Sequence, residues 1–426
     1  MAHRVVITGI GPVTSIGVGP AAFWRSLLNR EFIASPVPAE FERRYSFHSR
    51  WYVPLQKISL ADYGMRFPFE SAMQQEDRMA VAGTKLALED AHIPLEISER
   101  GIRAGRLDRC SVLIGTGIGG LETAFESYCA HRFSQDQLRD DAAPGRIKFS
   151  RMVIPATMPN SPAAWVSICF GIHGQSATIN ASCASGTMAA GEAFRRIRDG
   201  YEDVVLCGGV ECLRDSSGAI MRGFDLLGAL TRSGDGIPRP FSTKRSGFLF
   251  SEGGACMLVL ESYAHAQSRN ARIYAELLDY RSCSDAANIV QIEKGGQQII
   301  RMLGDISSGH KIDYLNAHGT GTETNDEVEA LAIQTIFGNA GQQPLTSSTK
   351  GIIGHTLGAS GAIGAAVTAL SIAHDAVHGN LIDEQIENLN LPVSSLKTTV
   401  RRALTVSYGF GGHNAALLLG KADGHG

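Results

Sequence analysis

The sequence predicts an α/β fold made of two similar halves. Three observations carry this. First, short β-branched runs alternate with helix-periodic stretches along the whole chain, the pattern that buries sheets between layers of helices. Second, two series of elements look alike. Each has a short strand, a turn with a reactive side chain and a helix of small residues: ATINASCASGTMAAGEAF in one and LTSSTKGIIGHTLGASGAIGAA in the other. Chance likeness between Gly/Ala-rich helices is the competing explanation. Third, the 426 residues are 44% hydrophobic and 19% charged, which suffices for a large core.

In the first series, residues 4–10 read as a strand and 21–29 as a short helix. Residues 34–72 are irregular, rich in proline and aromatics, and read as a surface excursion or cap. Residues 80–91 have helical periodicity and stop before Ile93-Pro94. A buried strand at 110–115 runs into the glycine-rich GTGIGG, and a helix-rich insertion follows to about 160. Strand 177–180, helix 184–199 and strand 203–207 come next. A loop-rich span, 213–250, precedes strand 255–261. The second series has strand 272–281, a mostly helical stretch 285–307, strand 312–316, helix 326–337 and strand 345–349. Helix 356–374 and strands 403–408 and 414–419 complete it. The chain divides on this reading into halves 1–263 and 264–426.

The formal net charge of −3 argues against a general nucleic-acid or membrane-surface binder. Eight cysteines form no CxxC pair and no zinc-like spacing with histidine, so reduced thiols in a cytoplasmic protein are expected. The N-terminus runs directly into a strand, with no signal peptide apparent. Residues 354–373 are apolar but contain His355, many Gly and Ala and several hydroxyls, which predicts a buried helix and not a membrane span.

Cys183 stands where a strand should end and a helix of Ala, Ser, Gly and Thr should begin. A thiol at a helix N-terminus feels the positive end of the dipole, which favours thiolate. Most cysteines are buried and inert, and the other seven, lacking this context, are assigned to the core. His318, in NAHGTGTETND, and His355, in STKGIIGHTLGASG, both leave strands into glycine-rich turns. A lone histidine is usually structural, but two such turns and a cysteine at a third can converge on one cleft. Lys350 precedes His355 by five residues. Asp326 and Glu329 follow His318 on the first turns of a helix and are expected to hold that lysine, although solvated charges are the plainer reading. In SYGFGGHN, residues 407–414, free N–H groups beside Phe410 suit an oxyanion, or simply a glycine turn. Gly9, Gly11 and Gly17 lack dinucleotide-binding spacing, and no phosphate loop, HExxH or GxSxG is present.

Taken in order, RVVITGIGPVTSIG, IGTGIGG, NASCASGT, PRPFSTKRSGFLFSEGGA, NAHGTGTETND, STKGIIGHTLGASGAIGA and YGFGGHN span the chain. With them the chain resembles the β-ketoacyl-[acyl-carrier-protein] synthases, above all the elongating type of fatty acid and type II polyketide systems. The resemblance implies the thiolase fold, five αβαβα layers with cap insertions. It implies Cys183 as nucleophile, His318 and His355 as its partners, Lys350 as the family's lysine, and Asp326 and Glu329 as acidic supports. Phe410 matches the gating aromatic, its N–H forming an oxyanion hole with that of Cys183. Thr320 and Thr322 match contacts to the pantetheine arm, and Ile118 a residue of the acyl pocket. No metal or organic cofactor is implied; the partners are acyl carrier protein and a second subunit, either an identical chain or a chain-length-factor relative.

Ser242 and Ser246, where Asp is frequent, Asn325, Tyr408 and the region 34–72 depart from family patterns, and none is expected to touch the reacting residues. A thiolase-like enzyme needs a second active cysteine near the C-terminus, but the last here is Cys283. A chain-length-factor subunit typically lacks the nucleophile, which this chain keeps.

Overall fold

The computed structural model describes residues 2–98, 101–105, 107, 109–128, 151–386 and 388–422; residues 129–150 of the expected insertion lie outside them. Ten strands form one continuous path. The first five are β1 (Val5–Thr14), β2 (Ser111–Gly115), β3 (Ser176–Ile179), β4 (Val204–Cys212) and β5 (Gly253–Ser262). The second five are β6 (Ala275–Ser284), β7 (Tyr314–Asn316), β8 (Leu345–Ser347), β9 (Arg402–Gly409) and β10 (His413–Gly420). Their order is β8-β7-β9-β10-β6-β1-β5-β4-β2-β3, with Gly17–Val18 added beside β1.

Read outward from the central β1–β6 pair, the two halves have the same topology. The inner strands pair antiparallel and the outer ones parallel in both. Even the β-bulges correspond, at Ile7/Gly9 in β1 and Leu277/Asp279 in β6. The repeat seen in the sequence is therefore a repeat of architecture.

The helices complete five layers. α1 (Gln75–Asp90) and α2 (Ser161–Phe170) cover the outer face of the first half. α3 (Ser185–Arg198) and α6 (Ser360–His374) lie between the halves, and α4 (Gln297–Ser307) and α5 (Glu323–Phe337) cover the second. Strands in the middle of such a stack are buried on both faces. In β5, Cys256, Leu258 and Leu260 join the central core while Ala255, Met257 and Val259 join the outer one, which explains the unbroken apolar runs. Among the described residues the one stretch long and apolar enough to cross a membrane is Leu357–His374, and it is this central helix with its preceding turn.

Elsewhere local chemistry overrides the expected pattern. Residues 285–296 are a loop, because Asp285, Asn288 and Glu293 accept backbone N–H groups of Glu293, Val290, Gln291 and Gly295 and so compete with helix formation. The span 213–250 hides a helix, Ala219–Leu226. The cap contributes Ser35–Pro36 and Trp51–Val53 to a small sheet with Phe250–Ser251. The helix expected over 356–374 starts at Ser360, after a separate turn, Leu357–Ala359.

Gly9 and Gly11 have a packing purpose in place of the nucleotide one they fail to match. A Cβ on Gly9 would lie 2.1 Å from Ala87 O, and one on Gly11 2.0 Å from Gly83 O, so α1 can rest on β1 only while both lack side chains. Gly11→Ala is expected to lower stability by about 1–3 kcal/mol or more. A urea transition with unchanged slope and a lower midpoint checks this; an unchanged midpoint would show that α1 can shift freely.

Candidate active site

Cys183 occupies the 3₁₀ turn Ser182–Ala184 at the head of α3. Ser182 has φ 53°, costing about 1–3 kcal/mol for a residue with a side chain. Buried Ser185 holds the turn: its hydroxyl accepts the Ala181 N–H (2.8 Å) and is 2.6 Å from Ser182 O and 3.0 Å from Thr116 O. Gly409 lies against the turn's other side, where a Cβ would meet Ala181 O at 2.7 Å. The N–H of the next residue, Phe410, points at the Cys183 sulfur.

His355 arrives from the equivalent place in the second half, and its Nε2 is 3.1 Å from Cys183 Sγ. Its tautomer follows from its neighbours. The Leu357 amide, which can only donate, lies 3.2 Å from His355 Nδ1, so Nδ1 is bare and a neutral ring carries its proton on Nε2, facing sulfur. Leu357 makes this contact from φ 43°, the counterpart of Ser182 one half earlier. Ser360, the counterpart of Ser185, is 3.1 Å from Nδ1.

His318 stands beside His355, ring centroids 5.6 Å apart and edge to face. Its buried Nδ1 has no hydrogen-bond partner among the described residues. An unpaired buried polar atom costs about 1–3 kcal/mol, which an incoming polar group can recover. Burial, then the Lys350 charge, hold both imidazoles well below the usual histidine range, so both are neutral at physiological pH.

Lys350 and the carboxylates are arranged differently from expectation. Lys350 Nζ donates to the His318 carbonyl at 2.7 Å. Glu329 accepts the N–H of His318 (2.8 Å) and Gly319 (2.7 Å), and Asp326 that of Phe241 (2.6 Å) and Gly321 (3.2 Å). The carboxylates thus grip the backbone around His318 and act on Lys350 through their field alone. Burial pushes Glu329 up and Lys350 down, and Asp326 up to about 6.

A cleft of about 500 Å³ opens onto these groups. Cys183, His318, His355, Thr320, Thr322 and Phe410 all line it, so most of the expected site converges. Ile118 does not: it is absent from the lining and 37% exposed. Three departures from the family pattern prove closer to the chemistry than expected. Tyr408, Ser246 and Asn325 line the cleft, and the Tyr408 ring packs 5.5 Å from His318.

The sequence reading missed several residues here. Phe248 sets its ring edge-on to His355 at 5.1 Å, and Val290, Gln291 and Ile292 form a cleft wall. Buried Glu211 and Glu76 lie beneath GTGIGG; a glutamate inside the apolar run of β4 was the available signal. Burial also pushes the Cys183 thiol up, against the expectation of a free thiolate at rest. Ser182, the Lys350 charge and the Phe410 N–H pull the other way.

A buried cysteine meeting one neutral imidazole, with a second imidazole and an N–H donor alongside, is equipped to hold an acyl group and to stabilise an enolate. Residues 2–266 match the β-ketoacyl synthase N-terminal domain, and residues 274–382 the β-ketoacyl synthase C-terminal domain. The chain belongs to the β-ketoacyl synthase family, and its reaction class is acyl transfer. It is 34% identical over 431 residues to 3-oxoacyl-[acyl-carrier-protein] synthase 2 of Staphylococcus aureus (strain COL), covering 99% of each. It is 33% identical over 447 residues to the mitochondrial 3-oxoacyl-[acyl-carrier-protein] synthase of Arabidopsis thaliana, covering 98% of this chain and 93% of that one. Solved structures are similar along the whole chain, two of them from polyketide systems or with a chain length factor. AntDE:AntF, a type II polyketide acyl-carrier protein with its ketosynthase bound to the hexaketide, has TM-score 0.85 and 26% identity, covering 99% of this chain and 100% of that one. The ishigamide ketosynthase/chain length factor has TM-score 0.84 and 27% identity at the same coverage.

Lys350 is the positive charge that draws the Cys183 thiol downward. Lys350→Met should therefore move the pH curve of iodoacetamide labelling at Cys183 to higher pH, since less thiolate is present at any given pH. A curve that stays in place or moves down would show that the sulfur does not feel this charge.

Proposed function

We propose that the chain is a 3-oxoacyl-[acyl-carrier-protein] synthase performing a decarboxylative Claisen condensation. The observation that carries the reading is the 3.1 Å approach of His355 Nε2 to Cys183 Sγ, with the neutral His318 ring beside it. In the first half-reaction the Cys183 sulfur attacks the carbonyl of an acyl thioester. The N–H groups of Cys183 and Phe410 stabilise the oxyanion. The C–S bond to the carrier's pantetheine breaks, and the departing thiol takes the proton that Cys183 gives up.

In the second, malonyl carrier enters the cleft with its thioester oxygen toward His318 and His355, which as neutral rings donate N–H to the growing enolate. The carboxylate–Cα bond breaks and carbon dioxide leaves. The enolate carbon attacks the acyl carbonyl on Cys183; a C–C bond forms, the C–S bond breaks, and the sulfur leaves as thiolate and takes up a proton from solvent. Lys350, braced by the field of Asp326 and Glu329, holds the His318 backbone. Thr320 and Thr322, bonded to each other at 2.9 Å on the cleft wall, suit the pantetheine arm. Ile118 is assigned to the acyl side, on a loop adjoining the Cys183 turn.

The substrates arrive on acyl carrier protein and no added cofactor takes part. Fatty acid and type II polyketide or polyene synthesis both suit the chemistry. The division at 263/264 is supported by the repeated strand order. A dimer, of identical chains or with a chain-length-factor relative, is supported by β3 lying at the sheet edge and by exposed Ile154, Met158 and Ile168. Buried thiols at Cys183, Cys207, Cys212 and Cys256 support a reducing, cytoplasmic setting.

Incubation with an acyl carrier thioester should add one acyl mass to the peptide containing Cys183. Cys183→Ala should lower condensation by on the order of 10³-fold or more. Full product formation by that variant would end the assignment. Phe410→Ala should relax selectivity for the acyl or malonyl substrate; a product profile identical to that of the parent would exclude a gating role.

A further inference from the structure

Glu211 lies in β4, fully buried, and is not among the residues lining the cleft. Its two oxygens gather backbone N–H groups from both halves of the molecule. Oε2 accepts Gly117 at 2.8 Å and Gly358 at 3.0 Å; Oε1 accepts Ile118 at 3.2 Å and Gly119 at 3.3 Å. The glycines are needed for this gathering. A Cβ on Gly117 would lie 2.5 Å from Glu211 Oε2, and one on Gly358 2.2 Å from Gly117 N. Gly358 directly follows Leu357, whose strained backbone delivers the N–H that keeps His355 Nδ1 bare.

We propose that Glu211 is a positioning residue for the condensation: by clamping Gly358 to the 117–119 loop it holds Leu357 in its left-handed conformation, and so fixes which nitrogen of His355 carries the proton facing Cys183. This rests on the ketosynthase reading above. Four N–H donors favour a charged Glu211. A second carboxyl, Glu76, sits across Thr116, whose hydroxyl is 2.7 Å from Glu76 Oε1 and 3.4 Å from Glu211 Oε1; Glu76 also accepts the Gly120 N–H at 3.1 Å. Two such neighbours in a dry site do not both ionise. Burial pushes both up. Glu211 has four N–H donors and Glu76 one, so Glu211 keeps the charge and Glu76 takes the proton.

The test uses the full chain. Two-bond ¹H–¹⁵N spectra of ¹⁵N-histidine-labelled enzyme report the His355 tautomer without requiring turnover. The parent should show Nε2–H, and Glu211→Gln a mixture with Nδ1–H. In the same variant, malonyl-carrier decarboxylation should fall at least tenfold while acylation of Cys183 falls less than threefold. Glu76→Gln, which replaces an already neutral group, should decarboxylate within twofold of the parent. A parent with Nδ1–H overturns the inference even if Glu211→Gln does not fold. So does a folded Glu211→Gln with parental tautomer and decarboxylation, or a Glu76→Gln more damaging than Glu211→Gln. A parent inactive in both half-reactions would instead strike at the ketosynthase reading.

Discussion

Where the two central helices meet, no side chain separates their backbones. A Cβ on Gly186 would lie 2.6 Å from Ala362 N, one on Gly361 2.3 Å from Thr187 N, and one on Gly209 2.7 Å from Gly358 O. This contact sets the distance between the turns that precede the helices. Those turns carry Cys183 and, three residues ahead of Gly358, His355. Even one methyl group added at the contact would be felt directly, because close-packed interiors relax only partly. The 3.1 Å between sulfur and ring nitrogen is thus a product of glycine placement as much as of the two reacting residues.

Around that contact, polar side chains bind the backbone that carries the reacting groups. Glu329 and Asp326 bind backbone N–H groups around His318, and Lys350 binds its carbonyl. Ser185 and Ser360 secure the two turns. Among the described residues, His318 Nδ1 and Asn414 Oδ1 are left without a partner, both on residues lining the cleft where a substrate has to be received. Burial supports the same division of labour: it discharges the two histidines, and it favours a protonated thiol until a substrate is present.

Much of this was legible in the sequence, because the strongest signals were local. A strand followed by a turn and a run of small residues identified Cys183, and the same sign with histidine identified His355. The repeat of these signs anticipated the repeated topology. Features set by distant partners, or by side chains that compete with the backbone ladder, were not legible. The 285–296 loop has helix-compatible residues, but its acidic and amide side chains bond backbone locally. The cap at 34–72 takes its order from a strand pair with Phe250–Ser251, two hundred residues away in sequence. Tyr408 reads as an ordinary strand residue, and only the register of β9 turns its ring toward His318.

The two halves differ at the one position where symmetry would have given a pair of nucleophiles. Position 358 matches Cys183 in the repeated turn, yet it holds glycine, and any larger residue there would collide with Gly117 N. Of the two repeated turns, only the first therefore offers a thiol to an acyl group. In the proposed condensation, the second acyl unit finds no matching thiol in the other half, and it meets the loaded Cys183 while still on its carrier.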